Sequence, residues 1–285
     1  MLAPMVRLVP FLFVFLWSTG FLGAKLGLPH AAPLAFLLVR YLLVIALMAL
    51  LALALRAPWP RDPRQWLHIG VSGLLLHALY LGGVFVAIGQ GLPAGITALV
   101  VGLQPLLTAT LAGRLLGEAV LPRQWLGLAC GFAGVALVVA QKLGADFAPA
   151  ALWPALAALL GITAGTLYQK RFCPHFDWRS GAVAQFLPSA VVTGAVVLVT
   201  DGYHVEWASE FVFALGWLVL VLSVGAISLL NWLIRHGSAV NVASLFYLTP
   251  PTTALLAWLL FGETLSAGAL AGMALAVWGV SLARR

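Results

Sequence analysis

Between residues 65 and 113 the chain carries no Asp, Glu, Lys or Arg, and further long apolar runs precede and follow that stretch. A hydrophobic run of about 20 residues crosses a bilayer as a helix. Lipid offers exposed backbone groups no partner, whereas a helix satisfies its own. Such runs lie at 8–27, 33–55, 65–88, 93–115, 122–141, 150–170, 180–201, 209–235, 240–261 and 265–283, so the sequence predicts ten transmembrane helices. The fold class is all-α integral membrane. Gly89-Gln90-Gly91-Leu92-Pro93 separates the third helix from the fourth, because Gly and Pro favour a turn and Pro suits the first turn of a helix. The other connections are equally short and leave no room for a soluble domain.

Composition narrows the class. The 285 residues are 63% hydrophobic and 8% charged, with a mean hydropathy of +1.06. An average soluble domain is roughly 25% charged, so a water-soluble globule is excluded. The net charge of +7 comes from cations scattered between apolar runs. A nucleic-acid surface needs them gathered on one face, and no nucleic-acid partner is expected. Cys130 lies inside an apolar run and Cys173 in a loop, too few for a disulfide framework or a metal cluster. No metal or cofactor is expected. The first run follows Arg7 but lacks a clear small-residue cleavage site, so it reads as a retained first helix.

Lys and Arg accumulate on cytoplasmic loops. With the N-terminus inside, Arg7, Arg56, Arg61, Arg64, Arg114, Arg123, Lys170, Arg171, Arg179, Arg235, Arg284 and Arg285 fall on the cytoplasmic side, against Lys25 and Lys142 outside. Arg40 lies within a span. This sorting agrees with ten helices and with both termini cytoplasmic. Asp201, Glu206 and Glu210 cluster in one expected external loop.

The chain also repeats itself. A shift of 145 residues carries Leu103–Leu137 onto Leu248–Leu282 without a gap. Pro105, Thr108, Ala109, Gly117, Glu118, Gly127 and Gly134 then fall on Pro250, Thr253, Ala254, Gly262, Glu263, Gly272 and Gly279. The same shift carries Gly20, Lys25, Pro29 and His30 onto Gly165, Lys170, Pro174 and His175. Residues 1–141 and 142–285 are therefore two five-helix repeats. Five is odd, so the second repeat enters the membrane from the opposite side. Inverted repeats give two faces related by a pseudo-two-fold axis in the membrane plane, the symmetry that lets a central site open to either side in turn.

Leu115-Leu116-Gly117-Glu118 followed by Gly127 and Gly134, and Leu260-Phe261-Gly262-Glu263 followed by Gly272 and Gly279, resemble the EamA-like family of the drug/metabolite transporter superfamily. Trp17-Ser18-Thr19-Gly20-Phe21 fits the same resemblance, which covers essentially the whole chain. It implies helices one to four and six to nine around a central cavity, with helices five and ten peripheral. It also implies a multi-pass protein of the bacterial inner membrane that exports amino acids or related metabolites. The family extends to drug efflux, uptake systems and sugar-nucleotide carriers in relatives.

Polar groups inside a span are costly unless they are paired or face a cavity, which makes them candidates for a substrate path. Arg40 sits seven residues after Pro33, roughly 10 Å along its helix. It either holds a substrate carboxylate or snorkels to a helix carbonyl. His77 and Tyr80 share a face of the third helix and suit a cavity lining, although a buried histidine also serves as a helix-to-helix hydrogen bond. Gln104-Pro105 and Thr249-Pro250-Pro251 occupy equivalent repeat positions, where each proline removes a donor and frees a carbonyl. Each helix is expected to bend or open there, for binding or for packing alone. Trp17, Tyr168, Asn231 and Tyr247 complete the cavity candidates, offering aromatic faces and an amide. Glu118 and Glu263 close helices four and nine and have a structural role in this reading.

No acid falls at the middle of a span, so transport is expected to be facilitated or only loosely proton-coupled. An organic-cation efflux pump and an uptake carrier are the alternatives within transport. An integral membrane enzyme needs a nucleophile, paired acids or a metal cluster at membrane depth, and no catalytic constellation of that kind is present. Glycine pairs four residues apart, such as Gly127 and Gly131 or Gly268 and Gly272, signal close helix packing. On helices five and ten they would also suit a homodimer. The expected partners are a small-molecule substrate and the lipid bilayer.

Overall fold

The computed structural model describes residues 2–140, 147–200, 202–261 and 265–284. Glu263, Lys142, Asp201 and Arg285 lie outside these, as do the side chains of Arg7 and Lys25. The described chain is a helical bundle. Its members are α1 (Leu2–Gly27), α2 (Pro33–Ala54), α3 (Pro63–Gly89), α4 (Ala94–Val101 and Gln104–Leu116), α5 (Pro122–Val139), α6 (Leu152–Phe172), α7 (Trp178–Val199), α8 (Ser209–His236), α9 (Ala239–Ser244, Leu245–Leu248 and Thr249–Phe261) and α10 (Ala267–Arg284). Nine of these are each long and apolar enough to span a bilayer, and α1 carries the apolar stretch Leu8–Gly20. The protein is a ten-helix integral membrane protein. Its outward side chains agree: Leu198 and Val199 are 80% and 82% exposed, acceptable only where the surrounding solvent is hydrocarbon.

Local chemistry sets the helix ends. Pro33, Pro63 and Pro122 lie in first turns, where a missing N–H is lost at no cost. The carboxylates of Asp62 and Asp177 accept from the backbone N–H groups of Arg64 and Arg179, each at 2.9 Å. The Arg179 side chain also hydrogen-bonds Asp177 and holds its carboxyl below the usual carboxylate range. Gly91 and Gly117 adopt positive φ, 87° and 69°, and turn the chain between α3 and α4 and between α4 and α5.

The interior departs from regular helix at two symmetric pairs of places. Helix α3 contains a π-helical stretch, Leu74–Leu81, and α8 contains another, Leu218–Ala226. The 145-residue shift carries the first onto residues 219–226 of the second. Helix α4 is interrupted at Gly102 and Leu103, and α9 narrows to a 3-10 turn at Leu245–Leu248, the residues that the shift equates with 100–103. Both interruptions come just before the prolines. Pro105 and Pro250 cannot donate to Val101 O and Phe246 O, so the α-helical ladder fails there. The prolines thus locate the interruptions, whereas nothing in the apolar pattern marks the π stretches.

Packing follows the same symmetry. Helix α2 lies along α7, α3 packs on α6 as α8 packs on α1, and α4 meets α6 as α9 meets α1. Helices α5 and α10 pair closely with each other beside this core. A Cβ at Gly134 would lie 2.6 Å from Gly272 O, one at Gly272 would lie 2.6 Å from Gly134 O, and one at Gly127 would lie 2.6 Å from Gly279 O. Backbones approach this closely only through glycine. Tyr41 and Phe186 are also equivalent under the shift, and their rings are in direct contact with centroids 5.4 Å apart. The pseudo-two-fold axis passes between them.

Because the atoms opposing Gly134 are backbone and cannot swing aside, Gly134→Leu is expected to cost at least the ~1–3 kcal/mol typical of overpacking. Its thermal midpoint in detergent falls by several degrees. The control Gly216→Leu, which meets nothing within 4 Å, leaves the midpoint in place.

Candidate central cavity

Between the two repeats lies a small cavity of two lobes that share Trp17, Tyr80 and Val84 as lining. The first leaves about 50 Å³ open to the centres of water molecules and reaches Arg40, Phe85, Leu218 and Leu222. The second, about 30 Å³, reaches Thr97, Val101, Gly102, Phe246, Thr249 and Pro250. The irregular segments thus wall the cavity: Tyr80, Leu81, Leu218 and Leu222 come from the π stretches, Gly102 and Phe246 from the interruptions of α4 and α9, and Pro250 from the first turn after the second of these. A π turn displaces its side chains from the regular stripe, which is why such turns recur at functional sites. Trp17 stands edge-on to Phe246, with centroids 5.4 Å apart, and closes one side with an aromatic wall.

Arg40 supplies the charge. It is 3% exposed, and its Nε donates to Ser223 Oγ at 3.0 Å. Ser223 in turn donates to Leu218 O, five residues back, as the π geometry of α8 allows. Among the described residues no Asp or Glu lines the cavity and none pairs with Arg40. A guanidinium taken out of water without a counter-ion is costly, and its terminal N–H fork is shaped for a carboxylate.

Of the sequence candidates, Trp17, Arg40, Tyr80 and Pro250 meet at this cavity; the others do not line it. Tyr247 is fully buried and packs against Gly131 between α9 and α5. Tyr168 is hydrogen-bonded to His68 at 2.7 Å and lies tilted against Phe172, away from the cavity. Gln104 is buried and donates to Thr108 Oγ1 within α4, beside the equally buried Pro105, and Pro251 is buried in α9. Asn231 lines a separate groove with Trp178 and Trp232 and accepts from Gln169 Nε2 at 2.9 Å. His77 is buried and stacks on Phe186 at 4.0 Å. Sequence reasoning passed over Ser223, Gln169 and Gln185. For Gln185 a signal existed, since the 145-residue shift equates it with Arg40.

The face that carries the chain termini is closed by polar contacts. Lys170 Nζ lies 3.3 Å from Glu118 Oε1 and also donates to Gly237 O. Glu118 Oε2 accepts from Ala239 N at 2.8 Å, which ties the end of α4 to the start of α9. Arg171 donates to Leu115 O, Gln65 Nε2 to His175 O, and Ser180 Oγ to Pro58 O. Beneath them Cys173 is packed with Ile69, Phe176 and Ala184, and burial pushes its thiol up to about 11. On the opposite face the α1–α2 and α7–α8 loops join through an Ala31–Val205 bridge.

This geometry makes Cys173 a reporter of opening, because a protonated, covered thiol reacts slowly. In a Cys130→Ala background, Glu118→Ala is expected to raise maleimide labelling of Cys173 several-fold at neutral pH. Unchanged labelling would show that Glu118 does not hold the terminal face shut.

A ten-helix bundle of two inverted repeats around a central cavity defines a membrane transporter. The EamA-like transporter family model matches residues 6–140 and 149–285, and the chain belongs to that family. The uncharacterised inner membrane transporter YedA of Escherichia coli (strain K12) is 30% identical, over 88% of this chain and 81% of its own. The uncharacterised transporter YvbV of Bacillus subtilis (strain 168) is 28% identical, over 94% and 88% respectively. A protein of Salmonella typhimurium named a probable amino-acid metabolite efflux pump is 27% identical, over 94% and 91%. One solved crystal structure superposes with a TM-score of 0.79 at 24% identity, covering 97% of this chain and 95% of that one, so the two share a fold. These relatives are transporters by name, not enzymes.

Proposed function

We propose that this protein is a secondary, non-ATP exporter of small metabolites, amino acids and related compounds first, that works by alternating access between its two repeats. The observation that carries the reading is Arg40, a buried cation at the edge of a largely apolar cavity with no acid beside it among the described residues. A substrate carboxylate supplies the missing counter-ion, and Trp17, Tyr80, Leu218 and Leu222 suit an apolar substrate body. The name of the Salmonella relative points the same way. Export from the cytoplasm follows if the terminal face is the cytoplasmic one, as the distribution of Lys and Arg over the loops supports. The membrane is then the bacterial inner membrane. Organic-cation efflux fits less well, since a cation entering this cavity meets Arg40 and no acid. With no carboxylate among the described residues of the cavity lining, facilitated or only loosely proton-coupled transport fits best.

Counterflow in proteoliposomes with a panel of neutral amino acids, purines, quaternary amines and sugars tests the class. Amino-acid exchange is expected. A hydrogen bond to a charged group contributes about 1.5–3 kcal/mol, so Arg40→Gln should cut kcat/KM for carboxylate substrates roughly tenfold or more. Arg40→Lys keeps the charge without the fork and falls between the two. Equal flux in wild type and folded Arg40→Gln would sink the assignment.

A further inference from the structure

Several buried polar atoms among the described residues lack partners, Thr249 Oγ1 in the cavity wall among them, and two of the groups that carry them, His77 on α3 and Gln185 on α7, lie together beside the cavity. Both ring nitrogens of His77 and the Oε1 of Gln185 are buried, and none has a hydrogen bond of normal length and angle; among the described residues their only near polar neighbours are each other. They lie within reach of one another: the Gln185 side chain approaches the His77 ring, which itself stacks on Phe186 at 4.0 Å and 12°. The orientation of the Gln185 amide is fixed by its surroundings. Its Nε2 donates to Ser72 Oγ at 3.0 Å and to Gln169 Oε1 at 2.9 Å, and Gln169 passes its own donor on to Asn231 Oδ1. Both amide hydrogens are therefore used and only the acceptor is left open. An open acceptor in a buried site costs free energy comparable to a lost hydrogen bond, so such an atom calls for a partner that comes and goes.

The repeat says which partner. Gln185 is the counterpart of Arg40, and Phe186 the counterpart of Tyr41, under the 145-residue shift. Each residue of the pair donates to a serine across the repeat boundary, Arg40 on α2 to Ser223 on α8, and Gln185 on α7 to Ser72 on α3. The cavity reaches Arg40 and stops short of Gln185 and His77, while the terminal face beyond them is closed. An inverted repeat that opens to the terminal face brings the surroundings of Gln185 into the place that those of Arg40 hold here. The two positions differ in chemistry. Arg40 offers only donors, whereas Gln185 Oε1 and the lone pair of a neutral imidazole offer acceptors.

We propose that Gln185 Oε1 and the His77 imidazole form a second polar station, the repeat counterpart of Arg40, which receives the ammonium group of a zwitterionic substrate. This rests on the amino-acid reading given above and deepens it. Arg40 selects for a carboxylate, and the second station rejects a compound that has the carboxylate and the apolar body but lacks the amine.

Counterflow of radiolabelled L-leucine in proteoliposomes tests this, with unlabelled L-leucine and its des-amino analogue 4-methylpentanoate as competitors. In wild type L-leucine should compete at least about tenfold better, the equivalent of one charge-assisted hydrogen bond. Gln185→Met and His77→Leu should each bring that ratio below about threefold by weakening L-leucine alone. Gln185→Glu, which keeps an acceptor in place, should retain the preference and shows that the site tolerates substitution. An unchanged ratio in either apolar variant that still moves L-leucine overturns the station and leaves His77 and Gln185 as partners of each other only. So does an equal loss for both competitors, which marks a structural role. Wild type that competes equally well with both compounds overturns the station but leaves the exporter reading standing. Wild type that moves no amino acid overturns the exporter reading and the station with it.

Discussion

Hydrocarbon offers a backbone N–H or C=O nothing to bond, and every feature of this fold answers to that constraint. It makes the described spans helical and leaves each departure from α-helix with at least one face packed in the protein interior. The departures are few and symmetric: π stretches in α3 and α8, an interruption in α4 and a 3-10 turn in α9. Residues of all four line the central cavity. Irregular backbone at membrane depth therefore occurs where one side of the helix packs on other helices, although Leu79 and Leu220 of the π stretches face outward.

The same constraint gives weight to the few polar side chains in the interior. Arg40, Ser223, Ser72, Gln185, Gln169 and Asn231 are buried in largely apolar spans; Arg40–Ser223 and Gln185–Ser72 cross the repeat boundary, and Gln169 links Gln185 to Asn231 within the second repeat. These contacts run between helices that must shift if the cavity is to open on its other side. They contribute modest energies individually, about 1 kcal/mol or less each, which suits elements that exchange partners during a cycle. The Glu118, Lys170 and Ala239 contacts on the terminal face are of the same exchangeable kind, in contrast with the glycine-to-glycine seam of α5 and α10, whose backbones cannot part without exposing both.

Much of this was legible in the sequence. Charge-free length marked the spans, and one constant offset marked the repeats and the prolines that interrupt α4 and α9. The EamA-like resemblance carried by the Gly-Glu and glycine series agrees with the family match. The site was less legible. Trp17, Arg40, Tyr80 and Pro250 reach the cavity, but His77, Gln104, Tyr168, Asn231 and Tyr247 face other neighbours. A helical wheel gives a side chain's direction only while the helix is regular, and the π stretches and the 3-10 turn change the phase at the residues that matter. Tyr247 follows this rule, since the turn at Leu245–Leu248 aims it at Gly131. Gln185 was overlooked because an amide in an apolar run looks unremarkable until it is set against its counterpart, Arg40.

The central claim is that two inverted repeats exchange an open and a closed face about an axis between Tyr41 and Phe186. Paired spin-label distances test it most directly. One pair at Leu121 and His236 reads the terminal face, and another at Gln90 and Trp207 reads the opposite face, all four being exposed positions. The account predicts two populations in each pair with opposite sense, so that substrate or Glu118→Ala lengthens one distance as it shortens the other. Distances that stay fixed on both faces, or lengthen together, would contradict alternating access in this protein.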